Sequence, residues 1–242
     1  MDLKGEEEKI LAIDASTRSG SVALFYGPAF IAETTVADVG THADWLMKAV
    51  ASLLEDTATP VKEINLFAYT QGPGSFTGLR VGVSTIKGLA WAAQRPVAGV
   101  STLETLAYNA RYSPYPLCPV LDARKGEVYT ALYRFSGESA ETLVPDSALT
   151  PEALIKVLRD GGYADGPVVF LGSGLDVYSD LIKDNLSNAV FAPAHLWHVR
   201  ASNIALIARH KGLAGLSPGE AKPFYLRKSE AEIKRKKALS GA

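Results

Sequence analysis

Gln71-Gly-Pro-Gly-Ser-Phe-Thr-Gly-Leu-Arg-Val-Gly82 is the stretch that decides the fold of this chain. It follows an apolar run, Ile64 to Thr70, that reads as a buried strand. It opens an apolar-periodic segment, Phe76 to Ala93, that reads as a helix. A strand, a glycine-rich turn and a helix in succession aim several backbone N–H groups at one point. The helix N-terminus adds partial positive charge, which suits phosphates and other anions. Gly72, Gly74 and Gly78 permit positive φ and close backbone approach. The same pattern also serves a sharp strand-to-helix connection under packing constraint, and the local sequence leaves both readings open. The stretch is neither a P-loop nor a dinucleotide fingerprint, because it lacks Gly-Lys-Ser/Thr and the Gly-x-Gly-x-x-Gly spacing.

Upstream, Ile10 to Asp14 reads as a short apolar strand ending at a carboxylate. With Ser21 to Tyr26 and Phe30 to Val36 it makes a three-stranded meander. Ala43 to Leu54 has helical spacing, with Leu46, Val50, Leu53 and Leu54 on one face and Asp38 or Thr41 as cap. Strands Leu66 to Thr70 and Val97 to Val100 flank the Phe76 helix and complete a β-β-β-α-β-α-β order. Its last portion is a crossover that requires parallel strands. A second unit begins near Ser101. Leu103 to Arg111 reads as a helix, and Leu117 to Leu121, Glu127 to Phe135 and Glu141 to Val144 as strands. A helix opens at Thr150-Pro-Glu, followed by a strand Val168 to Leu171 and helices Leu175 to Asn185 and Ala201 to Lys211. The second half repeats the first half's mix of elements, which points to duplication.

With 242 residues, the chain is long enough for one large domain or two small ones. A formal net charge of −1 argues against a generalised nucleic-acid binder. One cysteine, Cys118, excludes an intrachain disulfide framework. The charged stretch Met1 to Lys9 shows no secretory signal, and no apolar run approaches the ~20 residues of a membrane span. A soluble, cytoplasmic protein is expected. From Lys222 onward seven Lys or Arg face only Glu230 and Glu232, so residues 222–242 read as a basic tail, whose run Lys234–Lys237 suits either solvent or an RNA or acidic partner.

Asp14-Ala-Ser-Thr-Arg-Ser-Gly-Ser21 joins two strands through hydroxyls and a glycine. A carboxylate at a strand end can orient a magnesium-bound water, and Ser16 and Thr17 can hold phosphate oxygens. Alone, the stretch reads as a Ser/Thr-turn that stabilises a hairpin. Beside the Gly72 loop, at another strand end of the same sheet, it outlines a ligand crevice of Asp14, Ser16, Thr17, Gly72, Gly74 and Ser75. Ser75 is outside any Gly-x-Ser-x-Gly elbow, with no His–Asp pair to activate it. Asp122, Arg124 and Glu127 lie in a tight hairpin, where an Asp–Arg ion pair is expected. His195 and His198 read as packing or surface residues. Trp45, Leu46 and Met47 give the first helix a large apolar surface, and an outward Trp or Met there would mark a protein interface.

These features resemble the nucleotide-binding superfamily of acetate and sugar kinases, Hsp70 and actin. Within it, Ile10-Leu-Ala-Ile-Asp-Ala-Ser-Thr17, the Gln71–Gly82 stretch, Leu121-Asp-Ala-Arg-Lys-Gly-Glu-Val-Tyr129 and Pro223-Phe-Tyr-Leu-Arg227 are similar to the bacterial TsaB (YeaZ) family. The resemblance implies an α/β fold of two actin-like (ASKHA, ribonuclease H-like) domains, each a mixed sheet flanked by helices. They would span residues 1–104 and 105–200, with the helix from about Ala201 packing back on the first. It also implies a part in threonylcarbamoyl modification of adenosine 37 in tRNAs reading codons that begin with A. The partner would be the catalytic subunit TsaD, with the ATPase TsaE recruited to the complex and tRNA met only through it.

The resemblance also marks a loss. TsaD-like proteins carry Val-x-His-x-Glu-x-His after the fifth strand, two imidazoles on one helix face as metal ligands. This chain reads Val100-Ser-Thr-Leu-Glu-Thr-Leu106, with Thr102 and Leu106 at the histidine positions. Leucine cannot ligate a metal and a threonine hydroxyl is a poor substitute. A non-catalytic scaffold is therefore expected, with no metal and no cofactor required, and ATP or ADP entering only in complex with TsaD. The expected interface, shared between a homodimer and the TsaD pairing, comprises His42, Trp45, Leu46, Ala49, Val50, Arg80, Val83, Ser84 and Lys87. The alternative is an ATP-dependent small-molecule kinase using Asp14, Thr17 and the Gly72 loop; the missing ligands disfavour a metalloprotease.

Overall fold

The computed structural model describes residues 8–212 and 215–227. The basic run at 234–237 and residues 1–7 fall outside them. In the first half, β1 (Lys9–Asp14), β2 (Gly20–Tyr26) and β3 (Ala29–Val36) form the antiparallel meander. α1 (His42–Asp56) leads to β4 (Leu66–Gly72), and α2 (Phe76–Ala93) crosses over to β5 (Val97–Ser101). The sheet order is β3-β2-β1-β4-β5, with β1, β4 and β5 parallel. Strands buried on both faces read as near-continuous apolar runs, and β1 obeys this. Its Leu11 and Ile13 meet α1 and α2, while Ile10 and Ala12 meet a helix on the other face.

The second half repeats this plan. β6 (Leu117–Arg124), β7 (Glu127–Ser136) and β8 (Ser139–Leu149) form a meander. α4 (Pro151–Asp160), β9 (Val168–Leu171), α5 (Leu175–Asn185) and β10 (Ala189–Phe191) then follow. The sheet order is β10-β9-β6-β7-β8, the same topology read from the other edge. The architecture is therefore α/β with two actin-like domains, each a mixed sheet flanked by helices.

Each half lends its last helix to the other. α3 (Thr102–Ala107) leaves β5 and buries Leu103 and Leu106 against Leu117, Leu121 and Ala131 of the second sheet. α6 (Ala201–His210) returns to the first sheet and buries Ile204, Ala205 and Ile207 against Ile10, Ala12 and Ala68. Glu33 of β3 accepts from Ser202 N and from Arg200 Nε, both at 2.9 Å, while Ser21 Oγ accepts from Ala201 N at 2.9 Å. A carboxylate at a helix N-terminus is favoured by the dipole, so this contact pins the returning helix.

Several elements differ from the sequence reading. β10 has three residues, too few to show alternation beside Pro193. β8 runs from Ser139 to Leu149, longer than Glu141 to Val144, because pairing with β7 extends it through polar residues. The helix expected to reach Arg111 is α-helical only to Ala107 and closes in one 3₁₀ turn, Tyr108–Ala110. Thr150 caps α4 as read, accepting from Ala153 N at 3.2 Å. Thr41 stands at the N-cap of α1 without a side-chain bond.

The expected interface set needs correction here. α1 and α2 lie on one face of the first sheet, and each must bury its apolar stripe there. Leu46, Val50 and Val83 belong to that buried cluster, so they cannot present themselves to a partner. Trp45 turns its ring onto Gly20 at the start of β2 instead of outward. On this geometry, Leu46→Ala should cost about 2–5 kcal/mol of unfolding free energy, while Met47→Ala should stay within about 0.5 kcal/mol. Urea denaturation of the two variants checks it.

Candidate functional site

Three strands of the first sheet, β1, β4 and β5, point their C-terminal ends at one edge, where doubly wound sheets bind ligands. Asp14 closes β1 there and is fully buried. Its Oδ1 accepts from Ser16 N at 3.0 Å, Ser16 Oγ at 2.6 Å and Thr70 Oγ1 at 2.6 Å. Oδ2 is buried with no hydrogen-bond partner. Burial raises the Asp14 carboxyl above the usual range, against the lowering effect of the Ser16 and Thr70 hydrogen bonds.

The six residues read as a phosphate crevice lie on adjoining strand ends, engaged with one another or with close neighbours. Ser75 N donates to the Ser16 carbonyl at 2.7 Å. Ser75 Oγ caps α2 by accepting from Gly78 N at 3.3 Å. Thr17 Oγ1 pairs with Ser19 Oγ at 2.8 Å, and His42 Nε2 donates to the Thr17 carbonyl at 2.7 Å. A Cβ at Gly74 would collide with the Ser16 carbonyl oxygen, and one at Gly78 with that of Ala15. Gly72 adopts φ +129°, and its open side is covered by the backbone of Phe224. Main chain thus meets main chain between the glycine loop and the β1–β2 connection.

The two positions compared above with histidine ligands are filled by packing. Thr102 and Leu106 are fully buried, and Glu104 pairs with Lys211 Nζ at 2.6 Å. Among the described residues no group of three His, Cys, Asp or Glu is placed to hold a metal ion, and no helix is long and apolar enough to cross a membrane. His210 meets Ser139 and Glu138 at the surface. In the β6–β7 hairpin, Asp122 Oδ1 accepts from Arg124 N at 2.8 Å instead of forming the expected ion pair. Glu127 pairs with Arg227 at 2.7 Å.

The outer faces of α1 and α2 have a different character. On α2 Thr77, Arg80, Ser84, Gly88 and Trp91 are exposed at helical spacing and form one stripe. On α1 the exposed face carries Ala43, Met47, Lys48 and Ala51. Trp91 is 61% exposed and Met47 46%, both high for apolar side chains. Of the residues expected at an interface, Arg80 and Ser84 are on this surface. Lys87 is half-buried and donates to the Gly219 carbonyl, Ala49 packs at the edge of the core, and His42 serves the hairpin. Gly88 was missed in the sequence because a glycine within an apolar run carries no sign of which way it faces.

Residues 38–235 match the family model described as "TsaD: tRNA N6-adenosine threonylcarbamoyltransferase". The tRNA threonylcarbamoyladenosine biosynthesis protein TsaB of Bacillus subtilis is 36% identical, covering 93% of this chain and 96% of its own length. The protein of the same name from Escherichia coli is 32% identical over 92% and 96%. The solved structure of YeaZ from Pseudomonas aeruginosa superposes with a TM-score of 0.74 at 26% identity, covering 90% of this chain and all of that one. A tRNA N6-adenosine threonylcarbamoyltransferase from Brucella anthropi is 36% identical, but this chain spans only 37% of its length. Agreement in motifs, topology and nearly full-length similarity places the chain plainly: it belongs to the TsaB (YeaZ) family.

Proposed function

We propose that this protein is a non-catalytic subunit that binds and stabilises a TsaD-type transferase in the threonylcarbamoyl modification of adenosine 37 in tRNAs reading codons that begin with A. The observation that carries this reading is the contrast between two regions. The hairpin and glycine-loop groups that would hold a phosphate are engaged with each other, while α1 and α2 expose Met47, Ser84, Gly88 and Trp91. Small residues at Ser84 and Gly88 let a partner's backbone come close, and the flanking Met and Trp supply apolar area. In this reading the same surface pairs two copies when the chain is alone, so homodimer and heterodimer compete. A TsaE-type ATPase joins the assembly, tRNA is met through the complex, and the protein acts in the cytoplasm. ATP or ADP enters only with the TsaD-type subunit. The kinase alternative needs Asp14, Thr17 and the Gly72 loop to hold a nucleotide, and the Asp14 bonds to Ser16 and Thr70 and the Phe224 backbone over Gly72 weigh against it.

Gly88 gives a clean test, because a Cβ there meets nothing within 4 Å. Gly88→Arg should fold normally yet place a charge in the interface. Its affinity for the TsaD-type subunit should fall at least about a hundredfold, equivalent to about 3 kcal/mol. Calorimetry with the purified partner, alongside reconstituted tRNA modification, reads both. Unchanged affinity in a well-folded variant would move the interface elsewhere.

Asp14 separates scaffold from kinase by its pH response. Its folded carboxyl titrates above its unfolded value, so its contribution favours folding at low pH and is lost as pH rises through the folded pKa. Asp14→Asn should therefore melt higher than the wild type at pH 7, with the difference vanishing below about pH 4. Thermal melts across pH 3–8 measure it. Magnesium–ATP that stabilises the wild type but not Asp14→Asn would instead show an ionised, ligand-holding carboxylate and favour the kinase.

A further inference from the structure

The motif Pro223-Phe-Tyr-Leu-Arg227 has no part in the reading above, yet its backbone and side chains reach both domains. After α6, the chain pairs Leu216 with Val97 at the edge of the first sheet, with N–H to O distances of 2.8 and 2.9 Å. Ala221 is buried in the first domain's core. Lys222 N donates to Tyr69 Oη at 3.3 Å, and Phe224 N to the Gln71 carbonyl at 2.6 Å, at the C-terminal end of β4. The Phe224 carbonyl rests on Gly72, where any Cβ would collide with it. Tyr225 stacks on Phe76, with ring centroids 4.7 Å apart and planes at 29°, and its hydroxyl accepts from Arg80 Nε at 3.3 Å. The Arg80 guanidinium lies 3.9 Å from the Phe76 centroid, completing the stack. Two residues later the chain has crossed to the second domain. Arg227 donates to Glu127 at 2.7 Å and to the Ala123 carbonyl at 3.4 Å, in the hairpin that ends β6.

We infer that residues 222–227 form a strap that locks the two domains at one angle across the C-terminal edges of their sheets. Paired domains rotate about their connections unless a further contact holds them. Here the covalent crossings are at α3 and α6, and the strap adds a third link between the glycine loop and the β6–β7 hairpin. Its two anchors differ in chemistry, an aromatic stack beside backbone hydrogen bonds on the first domain and a charge-assisted hydrogen bond on the second. Either can therefore be removed while the other remains. The strap makes this chain a rigid body, in place of a pair of domains that open and close on a ligand. It goes beyond the scaffold reading and does not rest on it.

Hydrogen exchange on the full chain tests the link from both ends. Tyr225→Ala removes the aromatic part of the first anchor, the part next to Arg227, and exchange should quicken about tenfold at residues 122–127 of the second domain. Arg227→Ala removes the second, and exchange should quicken by a similar factor at residues 72–78 of the first, with Arg227→Lys restoring part of the protection. Both changes are near the chain end and away from the cores, and melts of each variant confirm that the fold persists. A reciprocal effect across the cleft supports the strap. Changes confined to each residue's own domain, or carried in one direction only, overturn it.

Discussion

The closest constraint in this molecule is the contact between the first turn of α2 and the β1–β2 connection. Ser75 N donates to the Ser16 carbonyl, and Gly74 and Gly78 leave no room for a side chain at the crossing. Much else depends on it. The contact sets how closely α2 lies on the sheet, and thereby which of its residues are core. It buries Asp14 beneath Ser16 and Thr70, with one carboxylate oxygen unpaired. It also leaves the glycine loop's open side to be covered by Phe224. A loop whose composition suits anion binding here serves close packing. Both uses rest on the same property of glycine, the absence of a Cβ.

The two halves show how a duplicated unit becomes one body. Their sheets have the same order, and each sends its final helix to the other half. Polar contacts then join them near those crossings. Asp146 of β8 accepts from Ser101 Oγ at 2.6 Å and from Tyr133 Oη at 2.5 Å, and Asn203 of α6 donates to Asn109 at 2.7 Å. Burial and the adjacent Asp146 carboxylate push the Tyr133 phenol far up, so it stays a donor at any ordinary pH. The exposed faces of α1 and α2 keep Met47 and Trp91 in solvent, as β3 does Phe30 and Ile31 and α5 does Val177.

Most elements were legible in the sequence because their signals are local. Phe76 to Ala93 and Leu175 to Asn185 show helical spacing, Thr150-Pro marks a helix start, and β1 and β4 read as buried runs. The faces of the helices were not legible. Leu46, Val50 and Val83 have the chemistry of an interface, but apolar periodicity marks a stripe without saying whether sheet or partner covers it. The outward stripe of α2 is mostly small and polar, and its one large apolar member, Trp91, is indistinguishable in sequence from a core residue. Asp14, Ser16 and the glycines were rightly grouped, since two strand ends of one sheet must neighbour each other. That they bind one another is a matter of distances between backbones far apart in sequence. The members of the Glu127–Arg227 pair lie 100 positions apart in the chain, and no local pattern announces it.

The central claim is that the glycine-rich turn is a packing device, and two glycines on one helix test it directly. Gly78 is packed against the Ala15 carbonyl, while Gly88 faces open space on the same helix. Urea unfolding of Gly78→Ala and Gly88→Ala should therefore give opposite signs. The account predicts that Gly88→Ala gains up to about 1 kcal/mol from helix propensity and that Gly78→Ala loses about 1–3 kcal/mol to overpacking. Equal stabilisation by both substitutions would mean that the turn is not held against the hairpin, and the account would be wrong at its centre.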